Sequence, residues 1–176
     1  MAKSDTTIQL ERNIWKTTAK MGIFGCFEVT IGWVGRERVD YMTYDTNGIW
    51  RCYEIKASKA DFNSKSKNTF IGHFNYYVMP KELYDQVKDE IPKHVGVYID
   101  GLWNAKKAKR QELSADEQVL KDSLIRSLCR VAEKIYQSEN PPVIDSLKRQ
   151  IREAERLVGK YREKYWEVRK QMERGI

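Results

Sequence analysis

The dipeptide Asn47-Gly48 constrains the fold of this chain more than any other feature, because strand-like sequence lies on both sides of it. Residues 38–46 and 49–57 are rich in β-branched and aromatic side chains, and Asn-Gly is a preferred pair for a tight hairpin turn. Residues 26–33 have the same composition. The sequence therefore predicts an antiparallel meander of three strands.

Helical and extended patterns alternate on both sides of this meander. The patterns predict, in chain order, a helix over 6–20, the meander, a short helix over 59–67, a strand over 75–80, a helix over 81–91 and a strand over 95–100. A strand that is reached through a helix pairs in parallel with the strand before it, so we expect strands three and four to be parallel. This order predicts an α/β domain with a mixed β-sheet flanked by helices.

The composition changes after Gly101, where glycine and β-branched residues become rare. We expect a domain over 1–103, a basic linker over 104–113, and helices over 114–176 that Pro141-Pro142 separates. In the last helix, apolar side chains recur in alternating steps of three and four residues at Leu147, Ile151, Ala154, Val158, Tyr161, Tyr165, Val168 and Met172. This seam predicts a helical hairpin or a coiled coil, whose partner is the preceding helix, a second copy of the chain or another protein.

The net charge of +7 is concentrated in the second part of the chain. Residues 1–100 contain 14 Lys and Arg against 13 Asp and Glu, whereas residues 101–176 contain 18 against 12. A basic surface favours a polyanionic partner such as DNA. The candidate phosphate-binding residues here are Lys106, Lys107, Lys109 and Arg110.

Several classes of protein are disfavoured by the composition. The three cysteines and two histidines do not have zinc-ligand spacing. No apolar run is long enough to span a membrane, and the N-terminal sequence is unlike a signal peptide. We therefore expect a cytoplasmic protein that does not interact with membranes.

One group of residues on the predicted meander suits phosphodiester hydrolysis. Alternation along a strand places Glu54 and Lys56 on the same face, and Asp40 on the neighbouring strand approaches them across the hairpin. Two carboxylates can share a Mg²⁺ or Mn²⁺ ion, which keeps coordination positions for water and a phosphate. The ion would activate the attacking water, and Lys56 would orient that water or stabilise the transition state.

Asp40 followed by Glu54-Ile55-Lys56 resembles the signature of the PD-(D/E)XK nuclease superfamily, with Val39 in place of its proline. The run from Glu54 to Phe62, and Asn75–Pro80, are similar to the MmcB-type DNA-repair proteins and related phage proteins. The resemblance covers about residues 20–100. It implies a restriction-endonuclease-like fold and a metal-dependent DNA nuclease that acts in repair, recombination or a phage or mobile-element context.

The resemblance also implies roles for residues outside the central group. Glu28 would be a further metal-binding acid, and Glu11 on the first helix is the alternative. Independently of the resemblance, Lys59, Lys65 and Lys67 would border the site from the short helix and bind DNA phosphates. Asp61 would pair with one of these lysines or cap the helix, and His73 would be a packing or rim residue rather than a catalyst, so both have supporting roles. The second hypothesis is a DNA-binding or scaffolding protein that has a nuclease-like fold and no catalytic activity.

Overall fold

A computed structural model describes residues 3–35, 37–64 and 68–174. The chain is an α/β protein with a six-stranded mixed sheet and C-terminal helices. Its elements are α1 (Asp5–Thr18), β1 (Ile23–Thr30), β2 (Arg38–Asp45), β3 (Trp50–Ile55), α2 (Lys59–Phe62), β4 (Phe74–Met79), α3 (Lys81–Val87), β5 (Gly96–Ile99), β6 (Trp103–Lys106), α4 (Glu117–Glu139) and α5 (Pro141–Arg174).

The strands lie in the sheet in chain order, from β1 to β6. Strands β1, β2 and β3 form the antiparallel meander that the sequence predicts. Strand β4 pairs in parallel with β3, and β5 pairs in parallel with β4. The predicted parallel pairing of strands three and four is therefore confirmed.

Asp45 holds the hairpin between β2 and β3. Its Oδ1 accepts the backbone N–H of Asn47 at 2.9 Å and that of Ile49 at 3.1 Å. Gly48 takes a φ of 78°, a left-handed conformation that glycine adopts without steric cost. The second carboxylate oxygen of Asp45 lies 2.7 Å from a guanidinium nitrogen of Arg51. These contacts fix the register in which β2 and β3 meet.

The predicted linker over 104–113 begins inside the sheet. Residues Trp103–Lys106 form strand β6, which pairs antiparallel with β5. Strand β6 has only four residues and ends in Lys106, next to the basic run, so its sequence resembles a linker. Short strands that contain lysine are typical of sheet edges. The expected domain boundary after residue 103 is therefore misplaced.

The N-terminal half of α4 also belongs to the first compact unit, which extends to Cys129. Leu120 and Leu124 are buried in one hydrophobic cluster with Met42 and Trp50 of the meander. On the other face of the meander, α1 buries Leu10 and Ile14 in a cluster that contains strand tyrosines. Helices thus cover both faces of β2 and β3.

The second compact unit begins at Arg130 and contains the rest of α4 and all of α5. The apolar seam of α5 is exposed, from 44% at Val168 to 70% at Met172. Its partner and the coiled coil stay predictions. None of the described helices combines the length and apolar character that a membrane span requires.

Candidate active site

A cleft of about 860 Å³ opens where β2 begins and β3 ends. The structure brings Asp40, Glu54 and Lys56 together there, as the sequence predicts. The pairing of Tyr41 with Tyr53 places Asp40 directly across from Glu54. Other residues that line the cleft are Thr30, Gly35, Glu37, Arg38, Asp61 and Thr69.

Asp40 completes the hydrogen bonding of β3 at the point where the sheet ladder ends. Its Oδ2 accepts the backbone N–H of Ile55 at 2.9 Å. Burial raises the pKa of the Asp40 carboxyl, although the Ile55 N–H and the positive charges of Lys56 and Arg38 oppose the increase. The carboxylate is therefore fixed in position, and its ionised form is destabilised by lost hydration.

Glu54 is a buried carboxyl, with only 4% of the residue exposed. Its Oε1 accepts the backbone N–H of Thr69 at 3.2 Å. Burial raises the pKa of Glu54 to about 8, and repulsion from the Asp40 carboxylate adds to the increase. At neutral pH, without a cation, this raised pKa favours the protonated form of Glu54.

Lys56 is as buried as Glu54, and its backbone N–H donates to the carbonyl of Val78 at 2.9 Å. Its Nζ lies 3.9 Å from Oδ1 of Asp61. The other oxygen of Asp61 accepts the backbone N–H of Ala57 at 3.1 Å. Asp61 thus contacts Lys56, while Ser58 caps α2 by accepting the N–H of Asp61. Asp61, for which we expected a supporting role, therefore contacts Lys56, the candidate catalytic lysine.

The donor set of the cleft fits a hard divalent cation. Asp40 and Glu54 offer carboxylate oxygens side by side, and burial raises the pKa of Glu54 in spite of the positive charges of Lys56 and Arg38. Mg²⁺ and Mn²⁺ take such oxygen ligands and keep several coordination positions for water or phosphate. Within residues 3–35, 37–64 and 68–174, no three His, Cys, Asp or Glu side chains group closely enough to hold a metal ion. Asp40 and Glu54 are therefore the two carboxylates that the β2–β3 hairpin brings together in the cleft.

Glu28 and Glu11, the two candidates for the extra acid, both contact Lys3. The Lys3 ammonium lies 2.7 Å from Oε1 of Glu28 and 2.6 Å from Oε1 of Glu11. Neither glutamate is among the described residues that line the cleft. Glu28 has a φ of 55°, which interrupts the side-chain alternation that would direct it to the same face as Asp40. The expected metal-ligand role of Glu28 is therefore not seen in this conformation.

The predicted phosphate-binding residues have different outcomes. Lys59 is exposed on α2, and Lys65 and Lys67 lie outside the described residues. The Lys106 ammonium donates to the carbonyl of Pro92 at 2.8 Å, so Lys106 has a structural contact within the first unit. The exposed members of the basic segment are Lys107, Lys109 and Arg110.

His73 has a structural role rather than a place in the cleft. Its Nδ1 accepts the backbone N–H of Trp50 at 3.1 Å, and Trp50 is fully buried in the core. The contact explains why a histidine lies beside the meander. His73 does not line the described part of the cleft.

Arg38 and Thr69 are among the cleft residues that were not predicted from the sequence. Arg38 lies two residues before Asp40 on β2, so strand alternation places both on one face, and this spacing was the available signal. Its charge opposes the rise in the pKa of both carboxyls. Thr69 contributes its backbone N–H from an irregular segment, for which the sequence gives no pattern.

Comparison with known proteins supports the fold and leaves the function open. No protein-family model and no curated protein matches the sequence. The chain is similar in structure to the SPO1766 protein of unknown function from Silicibacter pomeroyi, with a TM-score of 0.59 and 20% sequence identity. The similarity covers 80% of this chain and 95% of that chain. At 20% identity, this similarity supports the α/β fold alone.

Proposed function

We propose that the protein is a divalent-metal-dependent nuclease that hydrolyses phosphodiester bonds in DNA, on a restriction-endonuclease-like fold. The observation that carries the proposal is the convergence of Asp40, Glu54 and Lys56 in one cleft. A buried carboxyl with its pKa raised to about 8, together with the half-buried Asp40 and the buried Lys56, is costly to stability. Such groups are typical of functional sites.

In this proposal, Asp40 and Glu54 hold Mg²⁺ or Mn²⁺, which would polarise the scissile phosphate and activate a water molecule. Lys56 places its ammonium where negative charge develops on the phosphate, and it orients the attacking water. Arg38 contributes a second positive charge for a phosphate oxygen. Asp61 positions Lys56 through the contact at 3.9 Å.

The choice of DNA as substrate rests on the resemblance of residues 54–62 and 75–80 to DNA-repair proteins. The same resemblance suggests a role in repair, recombination or a phage context. Lys59, Lys107, Lys109 and Arg110 are exposed, so they are free to meet solvent and the DNA backbone. Phosphate contacts of this kind position a nucleic acid without reading its sequence.

The test is cleavage of labelled single-stranded, duplex and branched DNA with Mg²⁺ or Mn²⁺, and with EDTA as the metal-free control. We expect cleavage by the native protein and its loss in Asp40→Asn and Lys56→Ala. Asp85→Asn, at an exposed residue of α3, is the matched control and should cleave normally. Cleavage that persists in Asp40→Asn at the native rate would refute the proposal.

A DNA-binding or scaffolding role without catalysis is the second candidate. It is favoured because the described residues contain no group of three or more His, Cys, Asp or Glu side chains that could hold a metal ion. This alternative predicts DNA binding with no cleavage in any of the three substrates. Calorimetry with Mn²⁺ separates the two roles, because the nuclease proposal requires a cation site that Asp40→Asn weakens.

A further inference from the structure

The segment between β1 and β2, described at residues 31–35 and 37, forms one wall of the cleft. Gly35 and Glu37 line the cleft beside Asp40. Between them and β1, Trp33 is 83% exposed and Val34 is 94% exposed. A large aromatic side chain therefore projects from the wall of the proposed active site.

The backbone of this segment is tightly constrained. Gly32 takes a φ of 71°, and the N–H of Ile31 donates to the carbonyl of Glu37 at 3.0 Å. A Cβ atom on Gly35 would lie 1.6 Å from the carbonyl oxygen of Ile31. Gly35 therefore permits a backbone approach that no other residue allows.

Helix α4 holds the same segment from the side. Ser123, which is fully buried, accepts the N–H of Gly32 at 3.0 Å. A guanidinium nitrogen of Arg126 donates to the carbonyl of Thr30 at 2.8 Å and to that of Gly32 at 2.7 Å. The guanidinium carbon of Arg126 lies 4.9 Å from the centroid of the Trp33 ring. The backbone beside Trp33 is thus held in position, and the exposed Trp33 ring contacts the Arg126 guanidinium.

An exposed indole on a constrained backbone beside the proposed active site fits a nucleic-acid base. A constrained backbone limits the conformational entropy that is lost when a planar ligand stacks on the ring. Bases inside a duplex have both faces covered by neighbouring base pairs, so away from its ends a duplex offers no face to Trp33, whereas an unpaired base does. Arg38 and Arg126 supply positive charge near the same wall for the adjoining phosphates.

We propose that Trp33 is a stacking platform that makes the cleft select DNA with an unpaired nucleotide next to the scissile phosphate. This inference rests on the proposed nuclease function for the identity of the ligand. The selected substrates are single strands, overhangs and forks, and blunt duplex DNA is disfavoured. Arg126 is a positioning residue, since it acts through the segment that carries Trp33.

The test is fluorescence anisotropy of labelled single-stranded, forked and blunt duplex DNA in EDTA, so that cleavage is not needed for the readout. We expect Trp33→Ala to weaken binding of single-stranded and forked DNA by about tenfold or more, and to leave blunt duplex binding unchanged. Trp33→Phe should restore most of the affinity, because phenylalanine retains a stacking face. Trp103→Ala, at a 67% exposed tryptophan on β6, is the matched control.

Equal binding of single-stranded DNA by the native protein and Trp33→Ala would overturn the inference. So would a loss of self-association or of protein binding in Trp33→Ala with DNA affinity unchanged, since Trp33 would then form a protein contact. The proposed function fails separately: Trp33-dependent binding without cleavage refutes the nuclease alone. Cleavage that needs Asp40 and ignores Trp33 refutes the stacking platform alone.

Discussion

Replacing Glu54 with glutamine should remove most of the pH dependence of stability between pH 4.5 and about 8. Glu54 is buried at the end of β3, and burial followed by repulsion from Asp40 raises its pKa from the ordinary value of 4.5 to about 8. Glutamine has nearly the same shape and still accepts the N–H of Thr69. The variant therefore removes the ionisable group and keeps the packing and the hydrogen bond.

The sign of the effect follows from the two pKa values of Glu54. Between pH 4.5 and about 8, the folded protein holds a proton on Glu54 that the unfolded chain has released, so stability falls as pH rises. At about 1.4 kcal/mol for each pH unit, this interval corresponds to a loss of about 5 kcal/mol. The raised pKa of Asp40 acts in the same direction above its ordinary value of 3.8.

Urea unfolding at pH 5.5, 7.0 and 8.5 in EDTA measures this effect. The free energy of unfolding of Glu54→Gln should rise relative to that of the native protein as pH increases, by several kcal/mol over this range. Glu82→Gln, at an exposed residue of α3, is the control and should follow the native protein at each pH. Parallel pH profiles for the native protein and Glu54→Gln would refute the assignment of a buried, protonated Glu54.

Three further predictions use other parts of the structure. Binding of Mn²⁺ at pH 7 should release about one proton from Glu54, which calorimetry in buffers of different ionisation enthalpy measures. Asp45→Ala should cost about 2–3 kcal/mol in urea unfolding. Burial tends to raise the pKa of Asp45, but the hydrogen bonds from Arg51 and two backbone N–H groups outweigh it and lower this pKa. The stability that ionised Asp45 contributes is lost as the pH falls through its folded-state pKa, so the cost of Asp45→Ala should shrink at low pH. Leu120→Ala should cost about 2–5 kcal/mol, whereas Leu147→Ala in the exposed seam of α5 should cost less than about 1 kcal/mol.

The meander and the trio on it were predictable from the sequence because both depend on local rules. Asn47-Gly48 fixes where β2 and β3 turn, and the pairing register then follows from the strands themselves. Alternation places Glu54 and Lys56 on one face. The hairpin register and the alternation of side chains also bring Asp40 opposite Glu54. Residues that lie on two strands of one hairpin therefore form a compact site.

The parts that the sequence did not predict depend on tertiary contacts. Strand β6 is short, and it is stabilised by pairing with the edge of β5. Helix α4 belongs to the core because Leu120 packs in one cluster with Trp50 and Met42. The left-handed conformation of Glu28 has no local signal, since glutamate rarely adopts it. Lys106 lies in a basic run, and this position alone did not indicate that its ammonium donates to backbone carbonyls.

Asp40 has two tasks that a simple deletion cannot separate. Its carboxylate accepts the N–H of Ile55 at the end of the sheet, and it is also one of the two proposed cation ligands. Asp40→Ala would remove both functions, so lost activity would reflect either a displaced Glu54 or a missing ligand. Asp40→Asn retains an oxygen for Ile55 and removes the negative charge. A variant that unfolds like the native protein in urea at pH 5.5 and no longer binds Mn²⁺ would therefore assign the lost binding to the charge of Asp40.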